Sequence, residues 1–167
     1  MKGIALLTLG GLVAGVALGS SPVRMRDNST DMRFMTTLAR AGLAEVQAGQ
    51  VAVMRGDRFD RRYGRQMTRE HQKSADQLGR MADNRNVQLP ASPTPEDAAA
   101  IHRMERMHGA KFDAAYRHFA VTSHEEAVEL FRDEIAHGQD PGLRAWARKT
   151  LPTIKKHLVE AETSTMR

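Results

Sequence analysis

The sequence predicts an all-α protein, built as an up-down-up-down four-helix bundle. Four segments of the 167-residue chain place apolar residues at the three- and four-residue spacing of one helix face, and turns rich in Gly and Pro separate them. No segment shows the alternation of apolar and polar residues that is typical of a strand. Four amphipathic helices in succession bury their apolar faces by packing into such a bundle.

The first 19 residues predict a signal peptide, because a positively charged start precedes an apolar run. Ala17-Leu18-Gly19 has the small-x-small pattern of a cleavage site, so cleavage is expected after Gly19. A short uncleaved membrane anchor is the alternative, and it would be the expected point of contact with a membrane. Residues 20–30 are expected to form a linker. In both cases the bundle, residues 31–165, is expected outside the cytoplasm, in the periplasm or secreted.

The first two predicted helices each carry one ionisable side chain on a largely apolar face. The first helix, residues 31–54, has the face Phe34, Leu38, Ala41, Glu45, Ala48 and Ala52. The second helix, residues 58–84, has the face Tyr63, Met67, His71, Ser74, Leu78 and Ala82. A polar group that faces the core is costly unless it finds a partner, so Glu45 and His71 need an explanation.

The third predicted helix spans residues 95–136 and begins at the capping sequence Thr94-Pro95-Glu96-Asp97. Its early stripe passes through His108 and its later stripe through His124, and the two stripes do not share one face. Either this helix is buried on several sides or it breaks near Gly109.

The fourth predicted helix spans residues 141–163, and Pro152 is expected to kink it. Its inward face is Leu143, Trp146, Thr150, Ile154, His157 and Ala161. Like the first two helices, it places an ionisable side chain, His157, on the face that should meet the core.

Four inward polar residues are predicted to converge at one level of the bundle. In an up-down-up-down bundle the turns at Gly56 and Gly138 lie at the same end. Counted from these turns, the inward residues lie about 11 to 19 positions away, or roughly 17 to 28 Å at 1.5 Å per residue. They are Glu45, His71, His124 and His157.

One carboxylate and three imidazoles are suitable ligands for Zn, Fe, Mn or Cu, so these four residues are the predicted site for a transition metal. The alternative is a buried hydrogen-bond network in which Glu45 pairs with a protonated histidine and no metal binds. Both interpretations place the four side chains in one polar layer between apolar residues.

Composition excludes some chemistry. The chain has no Cys, which rules out disulfides and thiolate ligands. Its net charge is +5, but Lys and Arg are scattered among Asp and Glu, and no nucleic-acid-binding motif is present, so nucleic-acid binding is not expected. The sequence assigns no substrate, reaction or partner protein, and it is compatible with a homo-oligomer.

Several short segments together resemble the bacterial DUF4142 family. They extend over residues 33–161 and are specific in combination: Gly42-Leu43-Ala44-Glu45-Val46, Met67-Thr68-Arg69-Glu70-His71, Val87-Gln88-Leu89-Pro90, Phe112-Asp113-Ala114-Ala115-Tyr116, Ser123-His124 and Leu151-Pro152-Thr153-Ile154-Lys155-Lys156-His157-Leu158. The resemblance implies a ferritin-like four-helix bundle in an exported protein of the bacterial cell envelope. It implies no reaction.

The ferritin-like di-iron pattern is incomplete in this chain. Such proteins carry Glu-x-x-His on two helices, but Thr68 and Ile154 stand three residues before His71 and His157. The function hypothesis is therefore an exported bundle that binds a transition metal through inward His and Glu and acts in stress protection. The alternative is a structural or protein-interaction bundle with a buried His/Glu network.

Overall fold

The structure, a computed structural model, describes residues 30–165, which form five helices and no strand. The helices are α1 (Thr30–Arg55), α2 (Arg58–Asp83), α3 (Pro95–Met104), α4 (Ala110–His137) and α5 (Pro141–Thr165). The all-α prediction is confirmed for this part of the chain. The predicted signal peptide or anchor (1–19) and residues 20–29 of the predicted linker lie outside the described residues. Within residues 30–165, no helix combines the length and the apolar character needed to cross a membrane.

The third predicted helix is two helices in the structure. The chain leaves α3 after Met104 and turns at residues 105–109 before α4 begins. Gly109 has a φ of 55°, a backbone conformation that glycine adopts without the steric cost of a side chain. The early stripe is divided by this break, because Ile101 and Met104 lie in α3 whereas Phe112 lies in α4. Within α4 the buried face is continuous and contains Phe112, Tyr116, Ala120, His124, Val128 and Phe131.

The predicted up-down-up-down order is wrong, because α1 and α4 run antiparallel. At one end of the molecule, the backbone N–H of Asp57 in the α1–α2 turn donates to Asp113 at the start of α4, at 3.0 Å. At the other end, Asp31 at the start of α1 accepts from the backbone N–H groups of Gln139 and Asp140, at 2.9 and 3.1 Å. The α1–α2 and α4–α5 turns thus lie at opposite ends, and the order is up-down-down-up.

The connection between α2 and α4 makes this order possible. It contains a loop at residues 84–94 followed by α3, and it returns the chain from the end of α2 to the opposite end of the molecule. A loop of this length spans roughly 36 Å when extended, close to the length of about 39 Å for a 26-residue helix. The sequence pattern shows the loop but does not show that it runs along the helices.

Two glycines allow α1 and α2 to pack very closely. A Cβ atom on Gly64 would lie 2.6 Å from the carbonyl oxygen of Gly49, and one on Gly49 would lie 2.8 Å from the carbonyl oxygen of Gly64. The Thr68 hydroxyl, which donates to the Gly64 carbonyl at 2.9 Å, fills the space beside this contact. Thr68 thus supports helix packing at a position where di-iron proteins of the ferritin type carry a glutamate.

The contact between α2 and α5 is different, because polar side chains form much of it. The Tyr63 hydroxyl donates to the His157 carbonyl at 3.1 Å, and the Trp146 indole donates to Gln77 at 3.0 Å. Gln66 donates to Glu160 at 3.1 Å. These long side chains span a wider separation than the glycine contact between α1 and α2, and the space between α2 and α5 becomes important for the candidate site.

The apolar core consists of two clusters, one toward each end of the molecule. The first, near the α1–α2 turn, contains Ala44, Ala48, Val51, Ala52, Tyr63, Met67, Ile101, Met104, Phe112, Tyr116, Ala120 and Ala161. The second, near the α4–α5 turn, contains Phe34, Met35, Leu38, Leu78, Ala82, Val87, Val128, Phe131, Leu143, Ala147 and Ile154. The level between these clusters is where the ionisable inward residues lie.

Because α1 and α2 are in backbone contact at the glycines, adding one methyl group there is expected to lower the stability of the protein strongly. Gly64→Ala is expected to lower the free energy of unfolding by about 1–3 kcal/mol, because the added Cβ overlaps the Gly49 carbonyl and the helices must separate. The matched control is Gly79→Ala, since Gly79 lies on the same helix with no atom within 4 Å of its Cβ position. The control should be neutral or gain up to about 1 kcal/mol from helix propensity. Equal effects in urea denaturation would contradict the packing account.

We predict that the free energy of unfolding falls as pH rises, because of the carboxyl group of Glu134 at the end of α4. Its side chain is buried, and burial together with the nearby carboxylates of Asp31, Asp140 and Asp133 raises its pKa to about 8. Because the folded protein holds this proton more tightly than the unfolded chain, its contribution is fully present below pH 4.5 and is lost as pH rises through about 8. Glu134→Gln should flatten the decline in unfolding free energy between pH 4.5 and 8, and unchanged curves would contradict the assignment.

Candidate metal centre

The four polar residues predicted from the sequence lie near the middle of their helices. Counted from the end of the molecule where Asp31 meets the α4–α5 turn, they are about 12 to 16 residues from the end of their own helix. They lie between the two apolar clusters. Because each is near the centre of a helix of 25 to 28 residues, the error in predicted helix direction leaves their level almost unchanged.

The structure brings the three histidines together. His71 of α2, His124 of α4 and His157 of α5 each offer one ring nitrogen, and these nitrogens all lie within 4.8 Å of one another. The ring centroids are 5.4 to 6.0 Å apart, and the rings are steeply inclined to one another. Three imidazoles from three helices therefore surround one point.

The ring of His124 is oriented by a hydrogen bond to the backbone. Its Nδ1 lies 2.8 Å from the carbonyl oxygen of Ala120, one turn earlier in α4, and donates to it. This hydrogen bond keeps the proton on Nδ1. The Nε2 atom is buried and has no hydrogen-bond partner among the described residues. A neutral imidazole with a free nitrogen is the form that binds metal ions.

His157 is oriented by Glu70. The His157 Nε2 lies 2.7 Å from a carboxylate oxygen of Glu70 and donates to it, which leaves Nδ1 as the free nitrogen. Nδ1 is buried and lacks a partner within residues 30–165. Burial lowers the pKa of His157, although Glu70 opposes the shift. A carboxylate on the far nitrogen of a histidine is the usual outer partner of a metal ligand.

His71 is neutral over the physiological range. Burial, together with the neighbouring His124 and His157, lowers its pKa to about 3. Its Nε2 atom is buried, again without a hydrogen-bond partner in the described part of the chain. Since a protonated imidazole cannot bind a metal ion, the low pKa keeps His71 available as a ligand down to acidic pH.

Glu45 lies beside the three imidazoles but outside the group of atoms within 4.8 Å of one another. Its Oε1 is 3.6 Å from the Nδ1 of His124, and both carboxylate oxygens are buried without a hydrogen-bond partner in residues 30–165. Burial raises the pKa of Glu45, and the attraction of His124 opposes this. A change of side-chain rotamer would be needed for Glu45 to join the three nitrogens as a fourth ligand.

A cavity of about 790 Å³ opens onto this centre between α2 and α5. All four residues line it, together with residues from each of the four long helices. The volume is within the range of roughly 300–1,000 Å³ that is usual for small-molecule sites. The wider separation of α2 and α5 makes the centre accessible between these helices, and a smaller cavity of about 110 Å³ reaches His71 between α1 and α2.

A second group of acidic residues has a structural role. Asp57, Asp60 and Asp113 place carboxylate oxygens within 4.8 Å of one another near the α1–α2 turn. Arg117 already donates to Asp57 at 2.5 Å and to Asp60 at 3.0 Å, and Asp57 caps α2 by accepting from the Asp60 N–H. The guanidinium group supplies the positive charge that a metal ion would bring, so these residues form a clamp between α2 and α4.

The two Glu-x-x-His pairs of the sequence lie away from the three-histidine centre. Glu105 and His108 are in the turn between α3 and α4, where His108 contacts Arg55 at 3.2 Å. Glu134 and His137 are at the end of α4, where the His137 ring pairs with Asp133 at 2.7 Å. A di-iron site of the ferritin type is therefore not assembled from these pairs.

Glu70 is the residue of the centre that the sequence analysis missed. It neighbours His71 in the sequence but points across to His157 on another helix. The helical periodicity of α2 places Glu70 beside the inward stripe, where an exposed carboxylate is common. A cross-helix partner of this kind has no signal in a single sequence, because it depends on the distance between α2 and α5.

The fold and the centre together define a class: an all-helical protein with a buried three-histidine layer halfway along its helices. The sequence matches the family model "Domain of unknown function (DUF4142)" over residues 19–163, and the chain belongs to that family. The suspected family is thereby confirmed. None of the curated proteins is significantly similar to this chain in sequence.

The fold is similar to that of a solved bacterial protein. The crystal structure of "putative secreted protein DUF305" from Streptomyces coelicolor aligns with a TM-score of 0.69, over 81% of this chain and 90% of that chain. The two sequences are 12% identical, so the likeness establishes the helical fold alone.

Proposed function

We propose that this protein binds a divalent transition metal ion through His71, His124 and His157, with Glu45 as the adjacent carboxylate. Two observations carry the proposal: one ring nitrogen of each histidine lies within 4.8 Å of the others, and each histidine has a buried nitrogen without a hydrogen-bond partner in residues 30–165. Buried polar groups in proteins are almost always satisfied. A metal ion would satisfy the three nitrogens at once.

An ion bound by all three histidines would draw their nitrogens closer together. Tetrahedral Zn²⁺ with Zn–N bonds of about 2.0–2.1 Å places ligand nitrogens roughly 3.3 Å apart. The ring nitrogens now lie within 4.8 Å of one another, so a pair would have to approach by up to about 1.5 Å, through changes in the side-chain torsions of the histidines. Three protein ligands leave a fourth position for Glu45 or for a molecule that enters from the cavity, which is the arrangement of catalytic rather than structural zinc sites.

The ligand types suit Zn, Cu, Fe and Mn. Imidazole nitrogens and a carboxylate favour first-row transition ions, and the affinity is expected to rise from Mn²⁺ through Fe²⁺ to Cu²⁺, with Zn²⁺ below Cu²⁺. Since Glu45 has a raised pKa in the metal-free protein, its coordination would release a proton, and metal affinity should increase with pH.

The proposal includes an extracytoplasmic location and a ferritin-like arrangement of the four long helices. We infer export from the predicted signal peptide, and the similar fold of a "putative secreted protein" supports an extracytoplasmic site of action. The up-down-down-up order with one long crossover is the connectivity of ferritin-like bundles, which supports placing the four long helices in that class. A redox-active ion in such a bundle would suit stress protection in the cell envelope.

A polar layer that only fixes helix register is the second candidate. The hydrogen bonds of His124 to Ala120 and of His157 to Glu70 favour it, because they orient both rings without a metal. A network with that role alone is expected to satisfy its members, whereas the inward atoms here are unpaired within residues 30–165. We therefore favour the metal centre.

Metal content and thermal stability test the proposal directly. The purified protein should bind one equivalent of Zn²⁺ or Cu²⁺, measured by elemental analysis after dialysis. At free metal a hundredfold above Kd the native state gains about 2.7 kcal/mol, which raises Tm by roughly 5–10 °C for a chain of this size. His71→Ala should abolish both effects.

The control for this experiment is His118→Ala, which removes an exposed histidine of α4 outside the centre. It should keep the full metal content and the full Tm shift. If wild-type protein binds no metal, or if both histidine variants lose it equally, the metal centre is contradicted. A His71→Ala protein that is only less stable, with no metal effect in wild type, would instead establish the structural layer.

Glu70→Gln should weaken metal binding about 10- to 100-fold without abolishing it, because Glu70 orients His157 without itself touching the ion. The affinity is measured by competition with a chelator of known strength. Gln66→Ala is the control, since it removes the neighbouring contact between α2 and α5 but leaves the Glu70–His157 bond. A Glu70→Gln affinity equal to that of wild type would remove Glu70 from the centre.

A further inference from the structure

The cavity above the three histidines has a mixed lining that suggests the kind of molecule it accepts. Three basic side chains line it: Lys73 and Arg80 of α2 and Lys149 of α5. None of the three forms a salt bridge with another described residue. The cavity lining therefore carries three basic side chains against the two carboxyl groups of Glu45 and Glu70, and a metal ion at its base would add positive charge.

Apolar groups form a second part of the same wall. Leu38, Trp146 and Ile154 line the cavity beside the histidines. Trp146 is held firmly, because its ring packs against Phe34 and Phe131 with centroid distances of 6.0 and 5.7 Å, and its indole N–H donates to Gln77. A rigid aromatic face beside cationic groups suits a ligand with one anionic end and an apolar body.

We propose that the cavity binds a small organic carboxylate, whose anionic group faces the metal ion and the basic side chains and whose apolar part packs on Trp146. This inference rests on the proposed metal centre and names the class of molecule that would occupy its open position. The volume of about 790 Å³ has room for an organic body beside the carboxylate group.

Trp146 provides the readout, because it is the single tryptophan of the chain. The Zn²⁺-loaded and metal-free proteins are titrated with benzoate while Trp146 fluorescence is recorded. Benzoate should change the fluorescence of the loaded protein saturably, with an affinity at least tenfold above that for the metal-free protein. Benzamide has the same shape without the charge, and it should bind at least tenfold more weakly than benzoate.

Paired variants test the basic side chains. Lys73→Gln combined with Lys149→Gln should weaken benzoate binding about tenfold with unchanged zinc content. The matched control is Lys111→Gln combined with Lys155→Gln, because these exposed lysines do not line the cavity, and it should bind benzoate like wild type. Equal losses in the two double variants, or equal affinities for benzoate and benzamide, would overturn the inference.

Zinc content, measured on the same samples, separates this inference from the proposed function. Stoichiometric zinc with no response to benzoate overturns the carboxylate site and leaves the metal centre standing. If zinc does not bind, the proposed function fails. The carboxylate site is then tested by titrating the metal-free protein with benzoate. Benzoate binding that depends on Lys73 and Lys149 would sustain it, and the absence of such binding would overturn it.

Discussion

The burial of one carboxyl and three imidazole groups halfway along the helices is the constraint on which the rest of the molecule depends. Each buried polar atom without a partner costs about 1–3 kcal/mol, and five such atoms meet at this level within residues 30–165. The apolar clusters on both sides supply the favourable burial that offsets this cost. A bound ion would convert the same atoms from a destabilising feature into a stabilising one.

The asymmetric packing of the helices determines how that level can be reached. Gly49 and Gly64 bring α1 and α2 into backbone contact toward the α1–α2 turn. At the level of the histidines, a small cavity of about 110 Å³, lined by Gly42 and His71, lies between the same two helices. On the opposite side, Tyr63 and Gln66 reach across from α2 to α5 and keep these helices apart. All three histidines line the α2–α5 cavity of about 790 Å³, which is the larger of the two cavities that His71 lines. The residue types at each helix–helix interface therefore determine whether the helices pack closely or leave a route to the histidines.

The sequence predicts the helices and the polar layer better than it predicts the path of the chain. Periodicity identifies the inward faces, and a count along each helix places His71 and His124 at one level, since both lie near a helix centre. The direction of α4 depends on whether residues 84–109 turn back or cross the molecule, and local patterns do not contain this information. Glu70 is missed for a related reason, because its partner His157 lies 87 positions away.

X-ray absorption at the zinc edge tests the central claim most directly, because it reports the ligands that surround the ion. The zinc-loaded protein should show nitrogen or oxygen neighbours at about 2.0–2.1 Å, with the multiple scattering of three imidazole rings. In His71→Ala, which is expected to lose the metal, this zinc signature should disappear. A shell of oxygen atoms with no imidazole scattering would mean that zinc binds elsewhere on the protein, and His71, His124 and His157 would then be a structural layer only.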